Sequence, residues 1–530
     1  MKSSLTLAAV LLATAVVLAT PQAGPGPYES DSSPAPRNRV DELVFARLRS
    51  LGIERAHLAS DAVFLRRAYL DVIGTLPTAD EVRAFLADRD QGKRAALVER
   101  LLGRDEFADY WAMKWSDVLR VKSEFPINLW PNAVQAYHHW IRSSIRENVP
   151  CDRFARDLLT GNGSNFRVPP VNFYRAVQSR EPRGIAAAVA LTFMGARVDT
   201  WPTQRLDDMA VFFSQIGYKS TSEWKEEIVF FDPGKATGGP AARPAGAFRV
   251  ATLPDGTTVR LAPGQDPREA FAAWLVAPGN PWFARSIVNR VWFWLMGRGI
   301  VHEPDDIRPD NPPVNADLLA CLERELVAAR FDLKQVYRLI LNSATYQLSS
   351  IPRSDRAGAE ANFAHAILRP LDAEVIADAV CQVTGTTEQY SSPIPEPYTF
   401  VPPDQRSIAV ADGSISSAFL VTFGRPPRDT GLASERSSRP TAAQRLYLLN
   451  SSDIQRKLQQ SQKLQALMQG GADGRQVMTD LYLTILSRPP TDEELKVVGT
   501  YGQTAGTNRR QAALDLAWAL MNSAEFRFRH

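Results

Sequence analysis

The sequence predicts a mainly α fold, built as two packed helical domains with a small β-hairpin insert between them. Apolar residues recur every three or four positions along most of the chain, which is the spacing of one face of a helix. Clusters rich in proline, glycine and asparagine interrupt this pattern and mark turns between helices. Alternating residues, typical of strands, are confined to residues 228–231 and to two runs at 248–253 and 257–261.

Composition indicates an ordinary globular protein. The chain has 530 residues, of which 45% are hydrophobic and 22% charged, so a sizeable buried core is expected. Its 61 Lys and Arg nearly balance its 58 Asp and Glu, for a formal net charge of +3. No overall field therefore favours nucleic acid or an anionic membrane, and we predict neither as a partner.

The N-terminus has the pattern of a secretory signal. Lys2 precedes an apolar run from Leu5 to Leu18 that is too short to span a bilayer comfortably. We therefore predict a signal peptide at residues 1–23, cleaved after Ala19 or Ala23, and a flexible tether at 24–39. The mature chain would be periplasmic or secreted and, after signal removal, would have no transmembrane span. An uncleaved anchor is the alternative.

Cysteine usage argues against a disulfide framework. The chain has three cysteines, at positions 151, 321 and 381, and an odd number of widely separated thiols allows one bridge at most. We interpret Cys151, Cys321 and Cys381 as single, buried, small apolar residues.

Residues 40–233 are predicted to form the N-terminal helical domain. Its first helices cover residues 40–52 and 62–73, and Thr78 and Glu81 then have the spacing of a capping box that starts another helix. The following helices carry aromatic residues at helical spacing, which favours a core over a sugar-binding platform. These residues are Trp111, Trp115, Tyr137 and Trp140.

A linker and a β-hairpin are predicted at residues 234–265. The segment 234–246 is rich in glycine, proline and alanine, which is typical of a flexible connection. Pro254-Asp255-Gly256 then separates the two alternating runs, as expected for a hairpin turn. Residues 266–530 are predicted to form the C-terminal helical domain.

A short repeat links the two ends of the chain. The segment Tyr69 to Val82 aligns without a gap to Tyr482 to Leu495, with five of fourteen positions identical. Both copies continue through a second helix to a polar and aromatic stop, at Glu106-Phe107 and at Glu525-Phe526. We interpret this as a recurring helix-turn-helix packing unit, with chance similarity between amphipathic helices as the alternative.

The densest stretch is residues 280–350, where a helix after Pro281 leads into an acidic loop. The loop contains Glu303, Asp305, Asp306 and Asp310 and ends at Asn311-Pro312-Pro313, whose prolines forbid helix. Two further amphipathic helices follow, at about 316–329 and 334–341. Asp305 and Asp306 are weak catalytic candidates, while Arg290 and Asn311, within the same stretch, are candidate binding residues.

Two interpretations of the carboxylates remain open. Asp305 and Asp306 of the loop, with Glu226 and Glu227 ahead of the strand at 228–231, could serve glycoside hydrolysis as paired carboxylates. Alternatively the loop carboxylates cap the next helix and pair with nearby arginines, namely Arg290, Arg298 and Arg308. Calcium could bind the loop, although EF-hand spacing is absent, and the six histidines have no metal-binding spacing, so we predict no metal site.

Three stretches resemble a large exported bacterial family of unknown function that is abundant in planctomycetes. That family pairs a cytochrome-associated domain of the PSCyt type with a planctomycete-specific domain of the PSD type. The resemblance covers residues 40–117, 280–350 and 369–530. It is carried by motifs such as Gly74-Thr75-Leu76-Pro77-Thr78, Val288-Asn289-Arg290-Val291-Trp292 and Phe423-Gly424-Arg425-Pro426. It adds Arg425 and the terminal His530 to the candidate binding residues, although His530 could simply cap the last helix.

The sequence departs from this family at two cysteine motifs. Many relatives resemble c-type cytochromes, with Cys-x-x-Cys-His after a Phe-Leu-Gly, but here residues 196–202 follow Phe193-Met194-Gly195 without cysteine or histidine. The Cys-x-Cys that relatives place after Phe-Gly-Arg-Pro is replaced by residues 431–436, which also lack cysteine. We therefore predict no cofactor and expect no covalent haem c.

The sequence specifies no reaction, and three hypotheses follow. Motifs of serine hydrolases, phosphate-binding loops and dinucleotide-binding folds are absent from the sequence. The favoured hypothesis is an exported cell-envelope protein that binds or scaffolds an envelope protein or a glycan. The second is a secreted hydrolase acting on polysaccharide, and the third is a haem-less subunit associated with redox proteins.

Overall fold

The computed structural model describes most of the chain. The described residues are 26–30, 32, 34–235, 249–437, 439–469, 473–504 and 508–530. The predicted signal peptide at 1–23 and much of the predicted linker therefore lie outside them. We refer to residues 26–235 as the N-terminal half and to residues 249–530 as the C-terminal half.

The protein is mainly α-helical, as predicted. The helices of the N-terminal half are α1 Arg39–Leu51, α2 Asp61–Val72, α3 Ala79–Ala87, α4 Lys93–Leu102, α5 Asp105–Val118, α6 Pro131–Arg146, α7 Cys151–Thr160, α8 Asn172–Arg175, α9 Pro182–Val189 and α10 Thr203–Ala210. Those of the C-terminal half are α11 Pro267–Leu275, α12 Phe283–Met296, α13 Ala316–Ala328, α14 Leu333–Leu341, α15 Ala373–Thr384, α16 Ala418–Thr422, α17 Ala442–Asn450, α18 Ser452–Gln460, α19 Gln462–Gln469, α20 Gly474–Leu486, α21 Asp492–Thr504, α22 Arg509–Asn522 and α23 Ala524–Arg527.

The strands are short and form three small antiparallel sheets. They are β1 Gly163–Ser164, β2 Ile216–Ser220, β3 Glu227–Phe231, β4 Arg249–Thr252, β5 Thr258–Leu261, β6 Arg369–Pro370 and β7 Phe528–Arg529. The sheet orders are β1-β3-β2, β4-β5 and β6-β7. The predicted hairpin is confirmed, with Arg249 opposite Leu261 and Thr252 opposite Thr258.

Strand β2 was not expected from the sequence. Its residues directly follow α10 and a short 3-10 turn at Val211–Phe213, in a region whose apolar spacing predicts one helix as far as residue 216. β2 pairs along its whole length with β3, placing Ile216 opposite Phe231. The predicted helix thus ends earlier than expected, and residues 216–220 form a strand through tertiary pairing.

The two halves share one contiguous hydrophobic core. Helix α5 of the N-terminal half carries Trp111 and Trp115, whose ring centroids lie 5.5 and 5.7 Å from that of Trp294 in α12. Trp111 also lies 4.5 Å from Tyr337 in α14. Trp111 and Trp115 are thus packed inside and join the halves, whereas Trp140 is half-buried and packs on Tyr137 and Phe154 within the N-terminal half.

Both repeat copies contain the same capping box. In the first, the Thr78 amide donates to Glu81 and the Glu81 amide donates to the Thr78 hydroxyl, at 2.8 and 3.2 Å. In the second, Thr491 and Glu494 exchange the same two bonds at 2.7 and 3.2 Å. The copies also meet in space, since α3 packs against α20. The similarity therefore reflects a common structural unit.

Buried arginines on α2 reach across to the C-terminal half. Arg66 donates to the backbone carbonyls of Ile485 and Phe526, at 2.8 and 3.1 Å. Arg67 donates to the carbonyls of Tyr346 and Leu348, at 2.6 and 2.8 Å. These bonds satisfy carbonyl groups at the ends of segments and fix the halves against each other.

The described part of the predicted tether is attached to the body. Glu29 pairs with Ala59 in an isolated antiparallel bridge, and the Ser30 amide donates to the Leu58 carbonyl at 2.8 Å. The Tyr28 ring lies edge-on to His530 at 6.1 Å. The structure therefore orders residues that composition assigns to a flexible segment.

The cysteines are free thiols, with Cys151 and Cys321 buried and Cys381 half-buried. Burial raises the pKa of each thiol above its usual value, which keeps them protonated.

Among the described residues, no helix combines the length and the apolar character that a bilayer crossing requires.

Candidate functional site

A cavity of about 550 Å³ opens between the two halves, and we call it the first cavity. The N-terminal half supplies its α5 wall, and the C-terminal half supplies α12, the segment around β6, and the loop 431–439. Charged side chains are prominent in the lining, and cations outnumber carboxylates. The cations are Lys114, Arg290, Arg298, Arg369, Arg436, Arg439 and Arg529, and the carboxylates are Asp117, Glu303, Glu360 and Asp372.

Asp372 anchors one side of the first cavity. It accepts hydrogen bonds from Lys114 Nζ at 2.9 Å, from Arg529 Nη2 at 2.7 Å and from the Tyr110 hydroxyl at 3.1 Å. Burial alone would raise the pKa of Asp372, but Lys114, Arg529 and Arg436 outweigh it and hold the pKa well below its usual value. Burial lowers the pKa of Lys114 to about 8, and repulsion by Arg436 and Arg529 offsets part of the attraction to Asp372.

Arg436 ties two further carboxylates together beside Asp372. Its Nη1 lies 2.6 Å from Glu374 and its Nη2 lies 2.7 Å from Asp117. Arg428 also pairs with Asp117 at 2.9 Å, and Arg425 lies 3.3 Å from Glu374. Burial raises the pKa of Glu374, yet Arg436 and Arg425 bring it down to about 2. Asp372 and Glu374 are therefore ionised, and Lys114 and the arginines beside them balance their charge.

Three arginines of the first cavity have guanidinium donors without a partner among the described residues. Among the described residues, neither Arg298 nor Arg439 has a carboxylate within ion-pair distance. Arg290 is buried, and its Nη2 lies 2.9 Å from Asp305, but its Nε and Nη1 have no hydrogen-bond partner. Arg298 Nε is likewise buried and unpartnered. Because Arg298 and Arg439 line the cavity without a described carboxylate partner, this arrangement suits a bound anion.

Most carboxylates of the acidic loop lie outside the lining of the first cavity. Asp305 is fully buried, and its Oδ2 accepts from the Ala433 amide at 2.6 Å. Asp306 and Asp310 each pair with Arg308 at 3.1 Å. The pairing predicted with Arg290 and Arg308 is thus present, whereas Arg298 has no such partner in the described chain and lines the first cavity instead.

The other three predicted binding residues, Asn311, Arg425 and His530, do not line the first cavity. Asn311 Nδ2 donates to the carbonyls of His302 and Asp306, at 3.2 and 2.9 Å, and so holds the loop closed. Arg425 is buried behind the cavity wall, where it donates to the carbonyl of residue 412 at 3.1 Å. His530 packs on Tyr28, outside the cavity lining.

Glu226 and Glu227 belong to the three-stranded sheet and the turn before it. Glu226 accepts from the Ser164 and Thr221 hydroxyls, at 2.5 and 2.7 Å. Glu227 pairs with two arginines at 2.8 and 2.9 Å, namely Arg175 and Arg180. Neither glutamate lines the first cavity. The structure therefore does not bring these two carboxylates together with Asp305 and Asp306 in one open cleft.

Sequence reasoning missed Lys114, Asp372 and Arg436. A usable signal was present, since Lys114 lies between tryptophans on an apolar helix and Glu374 and Asp378 lie within the apolar helix α15. A charge at a core-facing helical position needs a partner, so such residues indicate a buried ionic network.

The residues present do not fit covalent haem. The segment 196–202, where the resemblance places the haem-binding motif, has neither cysteine nor histidine, and it forms the short 3-10 turn Val198–Thr200 followed by Trp201. Within the described ranges, no group of three or more His, Cys, Asp or Glu side chains is arranged to hold a metal ion.

Two family descriptions match the chain. The family described as PSCyt2, a protein of unknown function (DUF1549), matches residues 39–205. The family described as PSD1, a protein of unknown function (DUF1553), matches residues 267–501. No curated protein matches the chain, and neither does any solved structure.

Proposed function

Because this chain belongs to the proteins that pair a PSCyt2 domain with a PSD1 domain, both of unknown function, we propose its role from its own cavity. It is an exported cell-envelope protein that binds an acidic glycan between its two halves. The observation that carries the proposal is that Arg298 and Arg439 line the first cavity without a carboxylate partner among the described residues.

The first cavity favours a glycan over a folded protein partner. Its volume of about 550 Å³ falls within the range of small-ligand sites, and its charged groups lie inside a concavity. A folded partner typically needs a broad surface of roughly 800 Å² per side. A sugar carboxylate can enter the concavity and accept paired hydrogen bonds from a guanidinium group.

Binding is also better supported than hydrolysis. A glycoside hydrolase needs one carboxylic acid with a raised pKa to protonate the leaving group. Asp372 in the cavity wall and Glu374 behind it do not meet this requirement, because nearby cationic side chains lower their pKa values. The buried ion pairs instead hold the cavity wall in one shape, which lowers the cost of ordering the site when a ligand binds.

Titration calorimetry of the mature chain with oligogalacturonate tests this proposal, with neutral maltooligosaccharide as the comparison ligand. We expect saturable binding of the uronate that weakens as salt rises. Changing Arg298→Gln or Arg439→Gln should weaken it about tenfold, since each removes a charged hydrogen bond. Arg47→Gln, an exposed arginine outside the cavity, is the matched control and should bind as the unchanged chain does.

Absence of saturable uronate binding, or equal binding by the Arg298, Arg439 and Arg47 variants, would overturn the proposal. If an acidic peptide bound the cavity and the uronate did not, a protein partner would replace the glycan. Circular dichroism of each variant shows whether a loss reflects binding or folding.

A further inference from the structure

A second cavity, of about 640 Å³, lies on the other side of the acidic loop, and we call it the groove. Residues 307–313 and the turn before α12 form its walls, opposite the start of α10. Two half-buried tryptophans, Trp201 and Trp282, face it together with a row of prolines. The loop residues His302 and Glu303 line the first cavity, so the same loop separates the two.

The two tryptophans sandwich a guanidinium group. Arg205 Cζ lies 4.2 Å from the Trp201 ring centroid and 5.3 Å from that of Trp282. Trp282 in turn lies 5.7 Å from Trp274, whose indole N–H donates to Asp255 at 2.9 Å. Trp282 is therefore in contact with both Arg205 and Trp274, which fix the position of its ring.

Arg205 is the one arginine of the groove without a carboxylate partner in the described part of the chain. Arg285 pairs with Glu323 at 2.7 Å, and Arg308 is paired within the acidic loop. No described carboxylate lies within ion-pair distance of Arg205, and its Nε is buried without a hydrogen-bond partner. The groove thus combines two indole rings, each with one face against Arg205, with a guanidinium group whose Nε has no described partner.

We infer that the groove binds one sugar ring of an acidic glycan. The C–H face of a pyranose packs against the indole face of Trp201 that is turned away from Arg205, because the ring face carries partial negative charge and the C–H groups partial positive charge. The sugar carboxylate accepts from Arg205. Pro309, Pro312 and Pro313 offer no backbone N–H and make this wall rigid, and the one carboxylate between them, Asp310, is paired with Arg308 at 3.1 Å. The inference shares its ligand class with the proposed function but rests on different residues.

Calorimetry with galacturonate oligomers tests the groove through Trp201→Ala and Arg205→Gln. Each should weaken binding about tenfold in the otherwise unchanged chain. The same loss should appear in a chain that already carries Arg298→Gln and Arg439→Gln, because the two cavities bind separately. Arg205→Lys keeps the charge but loses the planar stacking, so its affinity should fall between that of the unchanged chain and that of Arg205→Gln.

The outcomes separate the two sites. If only the Arg298 and Arg439 changes weaken binding, the groove inference is overturned and the proposed function stands. If only the Trp201 and Arg205 changes weaken it, the groove is supported and the first cavity is overturned. Binding of an acidic or proline-rich peptide to the groove, with no uronate binding, overturns the inference. Equal thermal unfolding temperatures of the variants exclude misfolding as the cause.

Discussion

Gly74 shows how one residue supports the cavity wall from a distance. It follows α2 with a φ of +59°, and a Cβ there would lie 2.6 Å from Tyr110 Cδ2. The Tyr110 hydroxyl donates to Asp372, the carboxylate at the side of the first cavity. A glycine is therefore required both by its backbone conformation and by the close approach of the ring.

Replacing Gly74 with alanine should lower the free energy of unfolding by about 2 to 4 kcal/mol, because left-handed strain and overpacking add. Gly256→Ala is the matched control. Gly256 also has a positive φ, of +86°, but a Cβ there meets nothing within 4 Å, so its loss should be limited to about 1 to 2 kcal/mol of strain. Urea unfolding measures both, and an equal loss in the two variants would contradict the role given to Tyr110.

Single residues were predictable where their partners lie close in sequence. Arg308 pairs with Asp306 and Asp310, each two positions away, and spacing alone indicates such pairs. Lys114 and Asp372 are 258 positions apart, and no local pattern links them. Arg298 was predicted to pair with the loop, but the fold turns the buried loop carboxylate, that of residue 305, towards Arg290 instead.

At the scale of elements, the two repeat copies use the same chemistry to start a helix. Thr78 with Glu81 and Thr491 with Glu494 each satisfy amides that would otherwise lack acceptors. Ser487 has a φ of 60° at the position equivalent to residue 74, so both copies turn through the left-handed region before the box. The left-handed turn and the capping box therefore occur together in both copies.

Thr78→Ala and Thr491→Ala should each reduce the free energy of unfolding by about 1 kcal/mol, the usual cost of losing an N-cap side chain. Thr479→Ala is the control, because its hydroxyl donates only to the Arg475 carbonyl of its own helix α20, and it should change stability by less than about 0.5 kcal/mol. Thermal and urea unfolding of the three variants measure this. A control loss as large as the cap losses would show that the boxes contribute nothing specific.

Elements with strong local signals were predicted well. The capping box, the Pro-Asp-Gly hairpin and most helices follow from turn chemistry and apolar spacing. Residues 216–220 were missed because they become a strand only by pairing with β3, which lies further along the chain. The alanine-rich helix starting near residue 182 also changes to a π-helix at Ala190–Met194, and apolar spacing does not distinguish the two.

The stability of the whole molecule should depend on pH through two histidines, of which His138 is buried and His530 half-buried. Burial, with Arg428 and Arg142 nearby, lowers the pKa of His138 to about 3, and burial lowers that of His530 to about 4. Both are therefore neutral in the folded chain at pH values where the unfolded chain is already protonated. Their contribution is fully present above pH ~6.5 and is lost as pH falls from there towards the folded pKa values.

Between pH ~7 and pH ~5, each histidine should reduce the free energy of unfolding by roughly 2 kcal/mol. His138→Gln should remove about half of this dependence, and His139→Gln, the exposed neighbour on the same helix, should leave it unchanged. Urea unfolding at closely spaced pH values measures the slopes. Equal slopes for the His138 and His139 variants would show that burial does not set this titration.

The mainly α class was predictable, but the way the halves pack was not. Apolar spacing shows that a helix has a buried face without showing which helix covers it. Trp111 and Trp115 were assigned to a core from their spacing, yet their contacts with Trp294 and Tyr337 depend on segments far along the chain. The first cavity and the groove escaped prediction for the same reason, since each is lined by residues from both halves.

The aromatic junction between α5, α12 and α14 has a practical consequence for dissecting the gene. A cut near residue 265 would leave Trp111 and Trp115 uncovered on one fragment and Trp294 and Tyr337 uncovered on the other. Each fragment would expose an apolar surface that the other half normally covers. Neither fragment would therefore keep the complete lining of the first cavity or of the groove.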